Sequence, residues 1–287
     1  MISIIIPTYN KALRLKFCLK HLMSCQTQYK MEIIIINDGS QDKTKDVLQS
    51  MIKGCTKNIV VKVLDTSNKG RAAARNLGVE NAIYDIILFL DDDIIVDKRV
   101  IDMHIKSHQL IENRIVHGKI CHVPYMKIFN DLEKNPASSG FLREKYDEIA
   151  LRFSDPIDED LVRLNKYAKD ADFERFVQQA VLENQEFKWT GFVGANTSIR
   201  KKLFRCAGGF DCNFGKNWGC EDLEFGYRLN RFYNVEFIYD ILTKSYHLDH
   251  YDTNRRHQHQ QNMKYFKEKY NDDMHIDELN SFLSEIM

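Results

Sequence analysis

The stretch ISIIIPTYN, residues 2 to 10, is a short apolar run that ends in a polar turn. Three more apolar runs follow at helix-length intervals: EIIII at 32–36, IVVKVL at 59–64 and IILFL at 86–90. Short β-branched runs that alternate with helix-length spacers are typical of βαβ units. The sequence therefore predicts an α/β fold, with a mostly parallel central sheet that helices cover on both faces.

Small, polar and acidic residues follow each of the four predicted strands, as PTYN, NDGS, DTSN and DDD. The carboxyl ends of parallel strands meet at one edge of a sheet, and ligands of such sheets bind beyond that edge. We therefore expect these four segments to surround a ligand.

The pattern changes after the first 121 residues. Residues 122–188 are charged and aromatic at helical spacing, which predicts helices laid over the site. Strand-like runs return between residues 189 and 248 as WTGFVGANTSI, VEFIY and KSYHL, and they predict a smaller antiparallel part of the sheet. From about residue 254 two apolar stripes predict two helices, and such stripes are usually packing surfaces.

The composition argues against a polyanionic partner. With 41 basic and 41 acidic side chains, no net charge draws the chain to nucleic acid or to an anionic membrane. Seven cysteines without CxxC spacing favour reduced thiols in the cytoplasm over disulfides or a zinc site. The N-terminus lacks signal-peptide features, and no apolar run approaches about 18 residues. We expect a soluble cytoplasmic protein, with peripheral membrane association open for a lipid-linked substrate.

Three adjacent aspartates, Asp91, Asp92 and Asp93, come directly after the fourth predicted strand. Adjacent carboxylates repel one another unless a cation or solvent relieves the repulsion. Side chains at i and i+2 of an extended segment point the same way, so Asp91 and Asp93 can face one ligand. Carboxylate oxygens suit Mg²⁺ or Mn²⁺. The alternative is a solvated acidic turn.

Other polar residues near the same edge are suited to a nucleotide. Asp38 ends the second predicted strand, where it can accept a hydrogen bond from a base or belong to a turn and helix cap. Tyr9 offers a stacking surface or fills the core. Arg71 and Arg75 lie four residues apart on one helix face, which favours phosphate or carboxylate partners, or surface salt bridges.

The run WGCEDLEFGYRL, residues 218 to 229, begins a predicted helix with Glu221 and Asp222. A helix N-terminus stabilises carboxylates, which accounts for one acid but not for three within four residues. His247 follows the next predicted strands, and a hairpin would return it to the same edge. These residues therefore belong to the predicted site.

The sequence resembles family 2 glycosyltransferases of the GT-A fold. Its N-terminal part is similar to their nucleotide-binding half in MISIIIPTYN, EIIIINDGSQD, NKGRAAARNLG and FLDDD. Its later part is similar to the galactosyltransferase-type C-terminal half of chondroitin polymerases and related galactosyl- and N-acetylgalactosaminyltransferases, in GANTSIRKKLFRCAGGFDCNFGKNWGCEDLEFGYRL and SYHLDH. The resemblance covers residues 2 to about 125 and 189 to about 250.

This resemblance implies a role for each matching residue. The uridine of a UDP-sugar would lie against Pro7, Tyr9, Asp38 and Arg75, and Asp91 and Asp92 would belong to the same donor site. Mn²⁺ or Mg²⁺ would be held by Asp93, Asp91 and His247, with His250 as the alternative to His247. Asp222 would be the catalytic base, and Asn196, Trp218 and Glu221 would shape the sugar and acceptor pockets.

The resemblance also implies a domain division and a reaction. One GT-A domain would span residues 1–253, and a helical tail would follow at 254–287. The domain would consist of a nucleotide-binding half (1–121), a helical acceptor-side insertion (122–188) and an acceptor and catalytic half (189–253). We expect an inverting, metal-dependent transfer of a hexose or N-acetylhexosamine, with galactose or N-acetylgalactosamine favoured, to a saccharide or glycoconjugate acceptor.

Two other functions are compatible with an α/β fold and clustered acids. A sugar-1-phosphate nucleotidyltransferase would need a glycine-rich phosphate loop after the first strand, and PTYNKALRL contains no glycine. A non-catalytic sugar-nucleotide-binding module would lack the base, and Asp222 is present. Transfer is therefore the favoured interpretation.

Overall fold

The fold is that of a computed structural model, which describes residues 1–53, 59–109, 111–123, 157–183, 185–248, 254–271 and 273–286. Its strands are β1 (Ile2–Thr8), β2 (Met31–Asp38), β3 (Ile59–Thr66), β4 (Ile86–Leu90), β5 (Ile94–Val96), β6 (Arg114–Val123), β7 (Asn196–Arg200) and β8 (Glu236–Leu248). Its helices are α1 (Ala12–Met23), α2 (Thr44–Lys53), α3 (Arg71–Glu80), α4 (Val100–Ser107), α5 (Ile157–Tyr167), α6 (Asp172–Leu182), α7 (Lys201–Cys206), α8 (Glu221–Phe232), α9 (Arg255–Lys269) and α10 (Met274–Ile286).

The strands form one eight-stranded sheet in the order β3-β2-β1-β4-β7-β6-β8-β5. The first four strands are parallel neighbours, as predicted. Successive side chains of β1 enter two different cores, since Ile5 packs in one and Ile4 and Ile6 pack in the other. Burial on both faces explains why β1, β2 and β4 are continuous apolar runs rather than alternating ones, whereas β3, at the edge of the sheet, is only partly buried. The predicted fold class is confirmed.

The remaining strands add the antiparallel part of the sheet. β7 runs antiparallel to β4 and β6, β8 runs parallel to β6, and β5 runs antiparallel to β8. Two details of the prediction were wrong. VEFIY and KSYHL belong to one strand, β8, whose pairing with β6 shifts register between Gly118 and Ile120, so no hairpin lies between them. Residues 189–191 end a 3₁₀ helix, and the strand begins only at Asn196.

The C-terminal tail forms two helices, as predicted, and both pack into the larger core. That core also holds Trp189 and Phe225, and the tail contributes Met263, Phe266, Ile276, Leu279 and Leu283. The tail is therefore bound to the sheet domain by apolar burial.

Part of the predicted organisation lies outside the described residues. Within the predicted insertion, α5 and α6 are described, and residues 124–156 are not. His250 also lies outside the described residues. Among the helices of the described ranges, none is long and apolar enough to cross a membrane. The six described cysteines are free: Cys18, Cys25, Cys121, Cys206, Cys212 and Cys220.

Candidate active site

A cleft of about 640 Å³ lies beyond the carboxyl ends of β1 and β4. Both halves of the chain line it. Asp93, Asp222 and His247, which are distant in sequence, all face this one cleft. The other predicted residues that line it are Arg75, Asp91, Trp218 and Glu221. Those not among its lining residues are Pro7, Tyr9, Asp38, Asp92 and Asn196.

Basic side chains relieve the repulsion among the three aspartates. The Lys11 ammonium lies 2.7 Å from an Asp93 oxygen and 3.3 Å from an Asp92 oxygen. Burial alone would lower the pKa of Lys11, but the two carboxylates outweigh burial and raise it. The guanidinium of Arg75 donates to Asp91 at 2.8 Å. Repulsion within the triplet therefore does not by itself require a metal ion.

Lys11 was not predicted as a site residue. It follows PTYN after β1, and β1 is the parallel neighbour of β4. Segments that follow neighbouring parallel strands lie side by side. This adjacency was a signal in the sequence that could have placed Lys11 beside the aspartates.

Asp93 and His247 lie close together where strands β5 and β8 pair. Asp93 precedes β5, whose first residue, Ile94, pairs with His247 on β8. The backbone oxygen of Asp93 accepts the Leu248 N–H at 2.9 Å, and one carboxylate oxygen lies 3.6 Å from His247 Nε2. The ring of His122, the partner of His247 on β6, lies 4.8 Å from the His247 ring, measured between centroids.

This pair fits part of a divalent-metal site. A carboxylate oxygen and an imidazole nitrogen are suitable donors for Mn²⁺, and they converge at the cleft. Within the described ranges, no group of three or more potential ligand side chains is already assembled. Asp91, the third predicted ligand, is bound to Arg75. Asp93 and His247 would therefore supply two ligands, and substrate phosphate oxygens would be needed to complete the shell.

Asp222 lies in the first turn of α8 and faces the cleft. One carboxylate oxygen accepts the Leu223 N–H at 2.9 Å, and the other accepts the Gly194 N–H at 3.1 Å. Burial raises the pKa of Asp222 to about 6, Glu221 adds to the rise, and Arg75 opposes it. Asp222 is therefore mostly ionised at neutral pH and is a stronger base than an exposed aspartate.

Arg75 joins the two halves of the site. It is buried, and it donates to Asp91 at 2.8 Å and to Glu221 at 2.7 Å. Burial alone would lower its pKa, whereas Asp91 and Glu221 raise it, so the guanidinium stays charged. Arg75 is therefore engaged by two carboxylates. Arg71, one turn earlier, also lines the cleft, and its side chain makes no hydrogen bond or ion pair within the described part of the chain.

Of the four predicted uridine residues, Arg75 lines the cleft, whereas Pro7, Tyr9 and Asp38 do not. Pro7 is buried in β1, and Tyr9 is 45% exposed. The carboxylate of Asp38 accepts the N–H groups of Lys69 and Gly70, both at 2.8 Å. It thereby orders the loop that leads into α3.

Asn196 lies in the core beneath the site. Its side-chain amide donates to the Thr243 backbone oxygen at 2.8 Å and to the Ser245 hydroxyl at 3.1 Å. Its side-chain oxygen is 3.0 Å from His104 Nε2. These buried bonds occupy the amide, so the structure gives Asn196 a packing role and does not place it at an acceptor pocket.

The C-terminal tail contributes a wall of the cleft that was not predicted. Its lining residues are Arg255, Arg256, His259, Leu283 and Ile286. The guanidinium of Arg255 lies 3.7 Å from the centre of the Trp218 ring, a cation–π contact. The apolar stripes indicated only packing, and no motif in the tail indicated proximity to the site.

The comparisons with known proteins agree with this architecture. The model of the family "Glycosyl transferase family 2" matches residues 3–206. An uncharacterized glycosyltransferase, YfnE, of Bacillus subtilis (strain 168) is 28% identical over 240 residues, which is 80% of this chain and 60% of that protein. A chondroitin synthase of Pasteurella multocida (strain Pm70) is 28% identical over 230 residues, which is 79% of this chain and 23% of that protein.

The chain thus spans less than two thirds of the length of either relative. Among solved structures, GalNAc-T7 with UDP, GalNAc and Mn²⁺ superposes with a TM-score of 0.60 at 14% identity, covering 93% of this chain and 47% of that one. At this identity the superposition shows a shared fold.

Proposed function

The chain belongs to glycosyl transferase family 2 and is a glycosyltransferase of the GT-A fold, and from this premise we propose that it is an inverting, metal-dependent enzyme that transfers a hexose or N-acetylhexosamine from a UDP-sugar to an acceptor hydroxyl. The observation that carries the proposal is the shared cleft, which Asp222, Asp93 and His247 all line.

Asp222 is the proposed base. An acceptor hydroxyl within roughly 2.6–3.2 Å of its carboxylate would lose its proton to Asp222 as the hydroxyl oxygen bonds to the anomeric carbon. The bond from that carbon to the UDP oxygen breaks, and UDP leaves. Attack from the face opposite the leaving group inverts the anomeric centre. Glu221 beside it also lines the cleft, and one of its carboxylate oxygens is buried without a hydrogen-bond partner in the described ranges.

Charge on the departing diphosphate must be neutralised. A divalent cation held by Asp93 and His247 would supply Lewis-acid stabilisation of that charge. Arg71 lines the same cleft and is a second candidate partner for a phosphate, because two carboxylates already occupy Arg75. Asp38 and Tyr9 remain the proposed contacts for the uracil base.

The donor sugar is proposed from the relatives. The sequence resemblance favours galactose or N-acetylgalactosamine, and GalNAc-T7, whose fold this chain shares, is seen with UDP and GalNAc. The acceptor is proposed to be a saccharide or glycoconjugate.

The decisive experiment replaces Asp222 with Asn. Release of UDP is measured with UDP-galactose, UDP-N-acetylgalactosamine, UDP-glucose and UDP-N-acetylglucosamine in the presence of Mn²⁺. We expect Asp222→Asn to lower the rate by roughly 10²–10⁴ while UDP binding is kept. Asp46→Asn, in the first turn of α2 and exposed, is the matched control and should leave the rate unchanged. Full turnover by Asp222→Asn would exclude Asp222 as the base.

A further inference from the structure

The segment that leads into the proposed base has an unusual backbone. Gly219 and Cys220 both have left-handed conformations, with φ of 91° and 71°. A residue other than glycine in this region costs on the order of 1–3 kcal/mol and persists only when its surroundings hold it there. Cys220 is also the N-cap of α8, and its side chain makes no capping hydrogen bond. The first turn of α8, which carries Asp222, is therefore held by contacts from elsewhere.

Arg75 and the Gly194 N–H hold Glu221 and Asp222, and helix α9 holds the segment that precedes them. Asn262, which is 4% exposed, donates from its side-chain amide to the Gly219 backbone oxygen at 2.7 Å and to the Asn217 backbone oxygen at 3.3 Å. The Gln258 side-chain oxygen accepts the Trp218 N–H at 2.9 Å. These two residues are four positions apart, so they lie on the same face of α9.

A second pair on α9 packs against the same segment. Arg255 covers the Trp218 ring, and His259 Nε2 lies 3.6 Å from the Cys220 sulfur. A Cβ atom at Gly219 would lie 3.2 Å from the His259 ring, so the segment and the helix are in close contact. Every residue from 217 to 220 thus touches α9.

The middle of α8 also touches α9, because Lys269 Nζ lies 2.9 Å from a Glu224 oxygen and the Phe266 and Tyr227 ring centroids lie 5.7 Å apart, but it is packed into the core as well. A Cβ atom at Gly226 would lie 2.2 Å from the Trp189 backbone oxygen, and Phe225 is fully buried. Loss of the Asn262 and Gln258 hydrogen bonds alone would therefore loosen residues 217–220, which lead into Asp222, and leave the middle of α8 in place.

We propose that α9, which lies beyond the family match at residues 3–206, is part of the catalytic apparatus, with Asn262 and Gln258 as positioning residues for Asp222. The inference rests on the proposed role of Asp222. Displacement of a catalytic group by about 1 Å can lower a rate by about 10²-fold. We expect a loss within that range when the Asn262 hydrogen bonds are removed.

The test compares Asn262→Leu with Gln260→Leu. Both replace an amide side chain of α9 with a branched aliphatic one, but Gln260 is exposed. For each protein, kcat and KM for Mn²⁺-dependent UDP release are measured with the most active of the four UDP-sugars, together with the dissociation constant of UDP and the melting temperature. Asn262→Leu should lower kcat roughly 10- to 100-fold with little change in KM or UDP affinity. Gln260→Leu should match the parent protein.

Each outcome is informative. The positioning role is overturned if Asn262→Leu is folded and keeps the parent kcat. It is also overturned if the rate falls only in proportion to the fraction of the variant protein that no longer binds UDP. If Asn262→Leu does not fold, Gln258→Leu decides in the same way. Full turnover by Asp222→Asn would overturn the proposed base itself, whereas loss of turnover in Asp222→Asn with parent kcat in Asn262→Leu would overturn only the role of α9.

Discussion

The charge on Glu221 is expected to shift the pH dependence of the reaction through its effect on the pKa of Asp222. Burial raises the pKa of Asp222 to about 6, and the neighbouring Glu221 carboxylate is the next cause of the rise. Because a base must be ionised, the rate should fall as the pH decreases through this pKa. With a pKa of about 6, roughly 90% of Asp222 is ionised at pH 7 and roughly 10% at pH 5, so we expect an approximately ninefold loss between them.

Replacing Glu221 with Gln removes this repulsion while nearly preserving the shape of the side chain. The Gln oxygen can still accept from Arg75, which now carries more uncompensated positive charge. Both changes favour the ionised form of Asp222, so its pKa should fall toward the ordinary value of 3.8. The acid limb of the pH profile should move to lower pH, and each unit of movement corresponds to about 1.4 kcal/mol.

The assay is kcat/KM for UDP release at saturating Mn²⁺, from about pH 5 to about pH 8, because kcat/KM reports the pKa values of the free enzyme. The control is Glu268→Gln, which removes an exposed acid from α9. The position of the limb is independent of the height of the plateau, so a general loss of activity does not obscure the result. A limb that stays in place or moves to higher pH would refute the coupling of Glu221 to Asp222.

Two further predictions concern the metal and the buried arginine. EDTA should abolish UDP release and Mn²⁺ should restore it, because Asp93 and His247 are proposed to hold the cation. If UDP release is unaffected by EDTA, the proposed metal-binding role of both residues is wrong. Arg75→Met should lower the free energy of unfolding by about 3–5 kcal/mol, because it leaves Glu221 buried without its counterion. Denaturant titration would measure this loss. The control is Arg175→Met, which changes an exposed arginine and should alter the free energy of unfolding by less than about 0.5 kcal/mol. Equal stability of the two variants would contradict the argument.

The parallel strands could be predicted from the sequence because their burial is local information. IILFL at 86–90 coincides with β4, and the other three runs lie within β1, β2 and β3. A strand with helices on both faces buries nearly all its side chains, so β1, β2 and β4 are mostly apolar runs, which have few alternative structures.

The later strands were harder to predict because their patterns depend on tertiary contacts. Ile241 and Leu242 are apolar but exposed within β8, so they interrupt the pattern of a strand that is in fact continuous. Trp189 is fully buried although it lies in a 3₁₀ helix. Apolar character indicates burial at such positions without indicating the backbone conformation.

The site could be predicted only as far as strand ends and motifs place residues. Asp93 follows a strand and Asp222 begins a helix, and the structure brings both to one cleft with His247. The position of Lys11 beside the aspartates could be predicted from the adjacency of β1 and β4. The contact between Asn262 and the segment before Asp222 could not be predicted from the order of the strands. Asn262 acts through hydrogen bonds to the backbone, and any sequence at 217–219 presents the same oxygens. Such a contact leaves no pattern in either segment.

Arg75 couples the two halves of the chain electrostatically. It lies on α3 and binds Asp91 after β4 and Glu221 at the start of α8. Removing charges from water is costly, so the three groups depend on one another for neutralisation. A ligand that draws Asp91 away from Arg75 would leave more positive charge facing α8 and would lower the pKa of Asp222. A donor-bound cation that engages Asp91 would in this way favour the ionised form of the proposed base.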